Sequence, residues 1–442
     1  MATVNGIVAS TFNSDAVKVS AEDLAGEAHA RAANLLGSTL SADAAVRIAF
    51  LNNKGLQASY NELGLAEAAK IEASLPPNPT FSLSRIQTPV ELDIERAVVV
   101  DILALATLPA RSELAAERFH AAQLRAALEA LRVGFQTRHA YYRAVAAEAL
   151  AASLTPAVSA AEAAAKLAKE LGETGAMNKL DQAREEAFYA ELSVQLAAAR
   201  QRAVSERERL VRMLGLPDGG VLRLPRALPS LPATLRAPVA VETEAIRQRV
   251  DLKIARIEVD TLAKSYGLTN ATRFINLLDV AGISRTQRET GVAGSGGGFE
   301  IDFQIPIFDF GEVRVRRAGE IYMQAVNRLG ALAVDARSQA REGYRAYRTS
   351  YDIAMRYRRE VLPLRKTIAD ESMLRYGAMQ VDVFALLTEA RQRIAANIAA
   401  IEAQRDFWLA SSEFEAALIG GSAATGQEAT RAPDLAAAVT HE

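Results

Sequence analysis

The 442-residue chain carries 51 Lys and Arg against 53 Asp and Glu, for a formal charge of −2 and an isoelectric point near 6.2, which excludes the basic surface of a nucleic-acid binder. It has no cysteine, so disulfides, thiolate metal sites, a cysteine nucleophile and a lipidated N-terminal cysteine are excluded. Half of the residues are hydrophobic but only 6% are aromatic, and alanine carries much of the apolar share in 157–168 and 395–403, which predicts long helices in close contact.

Residues 1–38 read as a weakly patterned N-terminal extension, and 1–15 show neither a basic start nor an apolar core, so no export signal is read there. No unbroken run of about 18 apolar residues occurs; a transmembrane helix is not expected, whereas a membrane β-barrel of alternating strands remains open. A helical segment at 45–72 leads to a strand around 81–83 and a second at 91–105, where Leu92, Ile94, Val98 and Val100 alternate with Glu91, Asp93, Glu95 and Asp101, with a break at Arg96. After Pro109 a helix reaches 171, on the order of 95 Å at 1.5 Å per residue. A coiled coil or a tubular assembly gives such a helix enough partners. Pro156 predicts a kink in it. The chain turns through 171–175 and returns as a helix over 181–214. A Pro/Gly-rich linker follows at 216–240.

The second half repeats the order: a helix at 244–264, a strand at 274–278, a glycine-rich run at 291–298 expected as a flexible hairpin loop, and a strand at 299–308. Phe299, Ile301, Phe303 and Ile305 alternate with Glu300, Asp302 and Gln304, one apolar and one charged face. A long helix after Pro306 reaches 375, and the turn at 376–378 is expected to use Gly377 at positive φ. A return helix spans 382–419, and 421–442 is a polar tail expected to be disordered. Tyr142-Arg143-Ala144 recurs as Tyr344-Arg345-Ala346 and Gly175-Ala176-Met177 as Gly377-Ala378-Met379, both pairs 202 residues apart. The chain is therefore read as two repeats, 39–215 and 241–420.

Strands of this kind are commonly half-buried in a soluble sheet. Here neither half has enough strands to complete a sandwich or barrel, so an exposed hairpin edge needs closure by other chains, with Phe299, Ile301, Phe303 and Ile305 toward lipid. The glycine-rich run lacks the Lys-Ser/Thr ending of a phosphate loop. His29, His120, His139 and His441 have no ligand spacing, and no carboxylate is singled out beside a base or nucleophile, so no metal, cofactor or enzyme activity is expected.

The segment order, together with Leu40-Ser41-Ala42-Asp43-Ala44-Ala45, Asn52-Asn53, the junction Ile305-Pro306-Ile307-Phe308-Asp309-Phe310-Gly311 and the turn Tyr376-Gly377-Ala378-Met379-Gln380-Val381-Asp382-Val383, resembles the TolC-type outer-membrane efflux proteins over residues 40–421. The resemblance implies a mainly α chain whose duplicated helical hairpins build a trimeric α-barrel, with four strands per chain in a shared twelve-stranded β-barrel. It implies passive export through a homotrimer in the outer membrane, coupled to a periplasmic adaptor and an inner-membrane pump in an efflux or type I secretion system. The docking tips would be Gly175, Ala176, Met177, Gly377, Ala378 and Met379. Asp382 matches the acidic motif of the channel aperture, and Asp181 sits comparably in the first half; the family's second carboxylate is replaced here by Ala385. The alternative is a soluble or periplasmic coiled-coil scaffold, in which Phe299, Ile301 and Phe303 pack inside their own chain.

Overall fold

The computed structural model describes residues 1–15, 18, 22–217, 222–237, 240–275, 277–289, 292–381 and 383–421. Its elements are α1 (Ala2–Phe12), α2 (Glu22–Leu36), α3 (Ala42–Asn52), α4 (Lys54–Ser74), β1 (Thr80–Gln87), β2 (Glu91–Asp101), α5 (Ile102–Glu173), α6 (Lys179–Leu214), α7 (Val241–Gln248), α8 (Val250–Ala271), β3 (Leu277–Glu289), β4 (Val292–Gln304), α9 (Glu312–Arg356), a π-turn (Tyr357–Val361), α10 (Leu362–Gly377) and α11 (Val383–Ile419). Each half thus runs helix pair, two strands, long helix and return helix. The chain forms two compact units that cut across the repeats: a first of the described residues in Met1–Ser59, Ala127–Val250 and Asp335–Glu442, and a second of Tyr60–Ala126 and Asp251–Val334.

Several expected boundaries shift, each for a local reason. The first opening helix is broken at Asn53 and the second at Arg249, where ψ opens to 108° and 124°. At the first break the Asn53 side chain accepts from the Leu56 amide (3.1 Å) and donates to the Met213 carbonyl (3.1 Å), so a polar residue supplies the bonds that the interrupted helix lacks. α5 starts at Ile102, capped by the Asp101 carboxylate on the Ala104 amide (2.7 Å), and Pro109 falls inside it. α5 also runs through Pro156 without interruption. It is the second long helix that breaks, into a π-turn just before Pro363, whose ring and missing N–H disfavour a continuous ladder. The glycine-rich run is strand, not loop: residues 294–298 pair with residues 283–287 of β3, and Gly291 lies outside the described residues. Phe274 precedes β3, and Ile305 follows β4. One window of α5 is long and apolar enough to cross a membrane by composition, against the expectation that no stretch is; alanine supplies that character, and 39% of it is buried within the chain.

The first unit is built on aromatic and alanine packing. Tyr347 stacks between Phe407 and Phe414 (ring centroids 5.7 and 5.3 Å), while Trp408 stacks on Tyr142 at 5.3 Å. The repeated tyrosines therefore do the same work: Tyr142 and Tyr344 both land on α11, against Trp408 and Phe414. Leu228 and Leu231 of the linker are buried, and its proline carbonyls are acceptors: Pro229 for Trp408 Nε1 (3.0 Å) and Gln404 Nε2 (2.7 Å), Pro232 for the Tyr351 hydroxyl (3.0 Å). The described part of the linker is strapped to the helices. Further along, Leu150, Leu154 and Ala161 of α5 pack on Leu192, Leu196 and Ala199 of α6.

In the second unit one sheet forms from both halves, all antiparallel, in the order β1-β2-β3-β4. Its helices are tied by Lys264 of α8, 2.7 Å from Glu113 and 3.5 Å from Glu117 of α5. Where β4 meets α9, Phe310 and Gly311 take φ of 48° and 73°. A Cβ on Gly311 would stand 2.3 Å from the Arg273 carbonyl oxygen, so only glycine fits this junction.

Candidate pore-forming sheet and helical tips

Residues directly opposite in antiparallel strands share a face. On one face the register aligns Phe81, Val98, Gly282 and Phe299 in a row across all four strands, then Val100, Val280 and Ile301, then Leu278 and Phe303. The opposite face aligns Asp101, Asp279 and Asp302, then Val99, Ala281 and Glu300, with Glu91, Asp93, Glu95 and Glu289 further along. On that acidic face Arg285 bonds the Asp93 carboxylate in a forked pair, and one oxygen of Asp279 is buried without a partner. Among the described residues nothing covers the apolar row: Phe299 is 77% exposed and Phe303 62%. That arrangement opposes the scaffold alternative, which requires these side chains to pack internally. Among the described residues, strands β1 and β4 each pair on one side only, leaving two open edges, the form that invites strand addition.

The tips lie in the first unit. Between α5 and α6, Gly175 takes φ of 75°; its amide bonds the Gly172 carbonyl (3.1 Å), and the Ala176 amide bonds that of Leu171 (2.8 Å). Between α10 and α11 the same pair of bonds runs from Met379 to Tyr376 (3.0 Å) and from Gln380 to Arg375 (2.9 Å). Here the left-handed residue is Met379, φ 56°, with its side chain 94% exposed. Gly377, expected at positive φ, instead ends α10 outside the left-handed region, and Ala378 follows at φ −87°. The sequence match Gly175 to Gly377 is thus off by two residues from the geometric match Gly175 to Met379. Ala176 is exposed beside Gly175, and the Met177 side chain is tucked in where Met379 projects.

Asp181 sits in the first turn of α6, where Asn178 caps its amide (2.9 Å) and donates to its carboxylate (2.6 Å), and Arg184 reaches the other oxygen (3.0 Å). Asp382 lies outside the described residues. One link that the sequence did not reveal joins the two hairpins: Glu185 of α6 is buried and bonded by Arg391 of α11 at 2.7 Å, whose guanidinium lies 4.3 Å from the Phe188 ring. Its only sequence signal is an acid on the packed face of α6. Arg365 of α10 bonds Glu389 (3.3 Å) and Gln392 of α11, holding the second hairpin together.

Burial pushes the hydroxyls of Tyr141 and Tyr142 up to about 12. Burial lowers His139 from its ordinary value, opposed by Glu413 at 3.7 Å and reinforced by Arg143. Exposed Lys264 is held charged by its bond to Glu113. Among the described residues, no group of three or more His, Asp or Glu is placed to hold a metal ion.

No family model matches this chain, and no curated protein does. Among solved structures it is similar to the outer-membrane channel OprN (17% identity, TM-score 0.71, covering 86% of this chain and 90% of that one). It is similar to CusC, described as forming a transmembrane channel (15%, 0.71, 86% and 92%), and to the outer membrane protein VceC of Vibrio cholerae (13%, 0.67, 90% and 97%). The likeness extends over nearly the whole of each chain.

Proposed function

From the fold that this chain shares with TolC-type outer-membrane channels, we propose that it is the channel component of a tripartite efflux or type I secretion system. Three copies would each contribute β1 to β4 to a twelve-stranded barrel, conducting passively what an inner-membrane pump and a periplasmic adaptor deliver. The observation that carries this reading is the two-faced sheet with two open edges. A band of Phe81, Val98, Val100, Val280, Phe299, Ile301 and Phe303 that is apolar and bare in one copy, with Arg85, Arg96 and Arg288 further along the same face, and an acidic face opposite it fit a barrel in lipid around a wet lumen. Head-to-tail joining of β4 to the next copy's β1 closes a ring and removes both edges. Phe299, Ile301, Phe303 and Ile305 would then meet outer-membrane lipid.

In this reading the tips around 175–177 and 377–379 meet the pump and adaptor, and Asp382 and Asp181 line the aperture. Asp382 is the better candidate for a ring of bare charge, since the Asp181 carboxylate is already taken up by Asn178 and Arg184. Specificity would rest with the pump. The experiment is purification in detergent followed by reconstitution: a trimeric mass with discrete single-channel steps is expected. A monomer soluble without detergent and silent in a planar bilayer would overturn the proposal. Asp382→Ala is expected to change conductance or ion selectivity, and an unchanged record removes Asp382 from the aperture.

A further inference from the structure

The N-terminal extension holds the most built feature that the channel reading leaves unused. α1 presents Val4, Val8 and Phe12 on one stripe, all buried, while Ala2, Gly6 and Ser10 on the opposite stripe are exposed. The spacing of four makes a single seated face. Phe12 ends the helix in a socket. Its ring lies 5.0 Å from that of Phe135 and 5.8 Å from that of Phe50, both fully buried, and the Arg138 guanidinium lies 4.7 Å from it. Space for the ring exists because residue 134 is glycine: a Cβ there would stand 2.5 Å from two of its carbons. Asn13 stops the helix at φ 48°, and its carbonyl accepts from Arg47 of α3 at 3.2 Å.

We propose that this groove between α3 and α5 is a peptide-binding site for a short apolar helix ending in phenylalanine, filled in cis by α1. The recognition is specific in its parts. Gly134 supplies the room, Phe50 and Phe135 the aromatic edges, Arg138 the cation over the ring face, and Arg47 the donor at the helix end. The seat is also connected. Arg138 pairs with Asp43 of α3 (3.1 Å) and with Glu415 of α11 (2.8 Å), so the group that reads Phe12 also ties a helix of the first repeat to one of the second. Occupancy of the groove therefore stiffens the junction of α3, α5 and α11, and vacancy loosens it.

The test uses the full chain, a variant lacking residues 2–13, and a labelled synthetic peptide of residues 1–15. The peptide is expected to bind the truncated protein and to bind the full chain at least ~10-fold more weakly, because α1 already occupies the groove. A peptide carrying Phe12→Ala is expected to lose at least ~10-fold in affinity. Binding that is absent from a folded truncated protein, or indifferent to Phe12→Ala, overturns the proposal. Should the truncated protein not fold, Gly134→Leu in the full chain decides. It is expected to expel Phe12 and expose 1–13 to limited proteolysis, with the thermal midpoint lowered by about 2–5 °C. Undiminished protection of 1–13 in that variant contradicts the proposal. So does isolated membrane protein whose mass lacks these residues. None of these outcomes depends on conduction.

Discussion

The two helical tips carry matching tripeptides and make the same two turn bonds, yet different residues take the strained position: Gly175 in the first, Met379 in the second. Backbone geometry is what the duplicated hairpins preserve, and a matched glycine can drift off it. The first tip meets its positive φ with a residue that has no Cβ to clash. The second imposes it on methionine, at a cost of about 1–2 kcal/mol. The long helices differ in the same manner, since α5 absorbs Pro156 in an unbroken run whereas the second repeat breaks into a π-turn at Pro363.

The largest expected effect comes from cutting the link between the hairpins. Glu185→Ala strands the Arg391 guanidinium and should destabilise the helical unit by about 2 kcal/mol, below the ~3–5 of a fully buried pair because Arg391 is partly exposed. Urea unfolding followed through Trp408, the single tryptophan, reads it. Gly175→Ala should cost about 1 kcal/mol or more and speed hydrogen exchange at the Ala176 amide, since alanine resists φ of 75°. Met379→Gly should act in the opposite direction, stabilising the second tip by up to ~1 kcal/mol. Smallest is Gly377→Ala, expected to be neutral or stabilising by about 0.5 kcal/mol, because that residue has ordinary helical-end geometry and open space at its Cβ. A strong loss at Gly377 with none at Gly175 would invert the comparison.

The repeat, the long hairpins and the alternating strand of Phe299, Ile301 and Phe303 were legible because period two and a fixed offset survive in one sequence. Gly294 to Gly298 escaped because glycine has no side chain to alternate, so a strand and a loop read alike until β3 supplies the pairing. The breaks at Asn53 and Arg249 escaped because each depends on partners distant in the chain, such as the Met213 carbonyl. Pro156 and Pro363 each fall inside a long helical stretch, at positions that the repeat does not align, and the helix responds differently to each. In the N-terminal extension the stripe of Val4, Val8 and Phe12 was there to be read, but its meaning needed Gly134, more than a hundred residues away.

In the proposed assembly, β4 turns one face to lipid and the other to water once copies share a barrel. Because the chain has no cysteine, single cysteines at positions 299 to 304 can be labelled one at a time in reconstituted protein with a lipid-phase and an aqueous reagent. Strict alternation is expected, with Phe299, Ile301 and Phe303 reached from lipid and Glu300, Asp302 and Gln304 from water. Uniform aqueous labelling along the strand would contradict it.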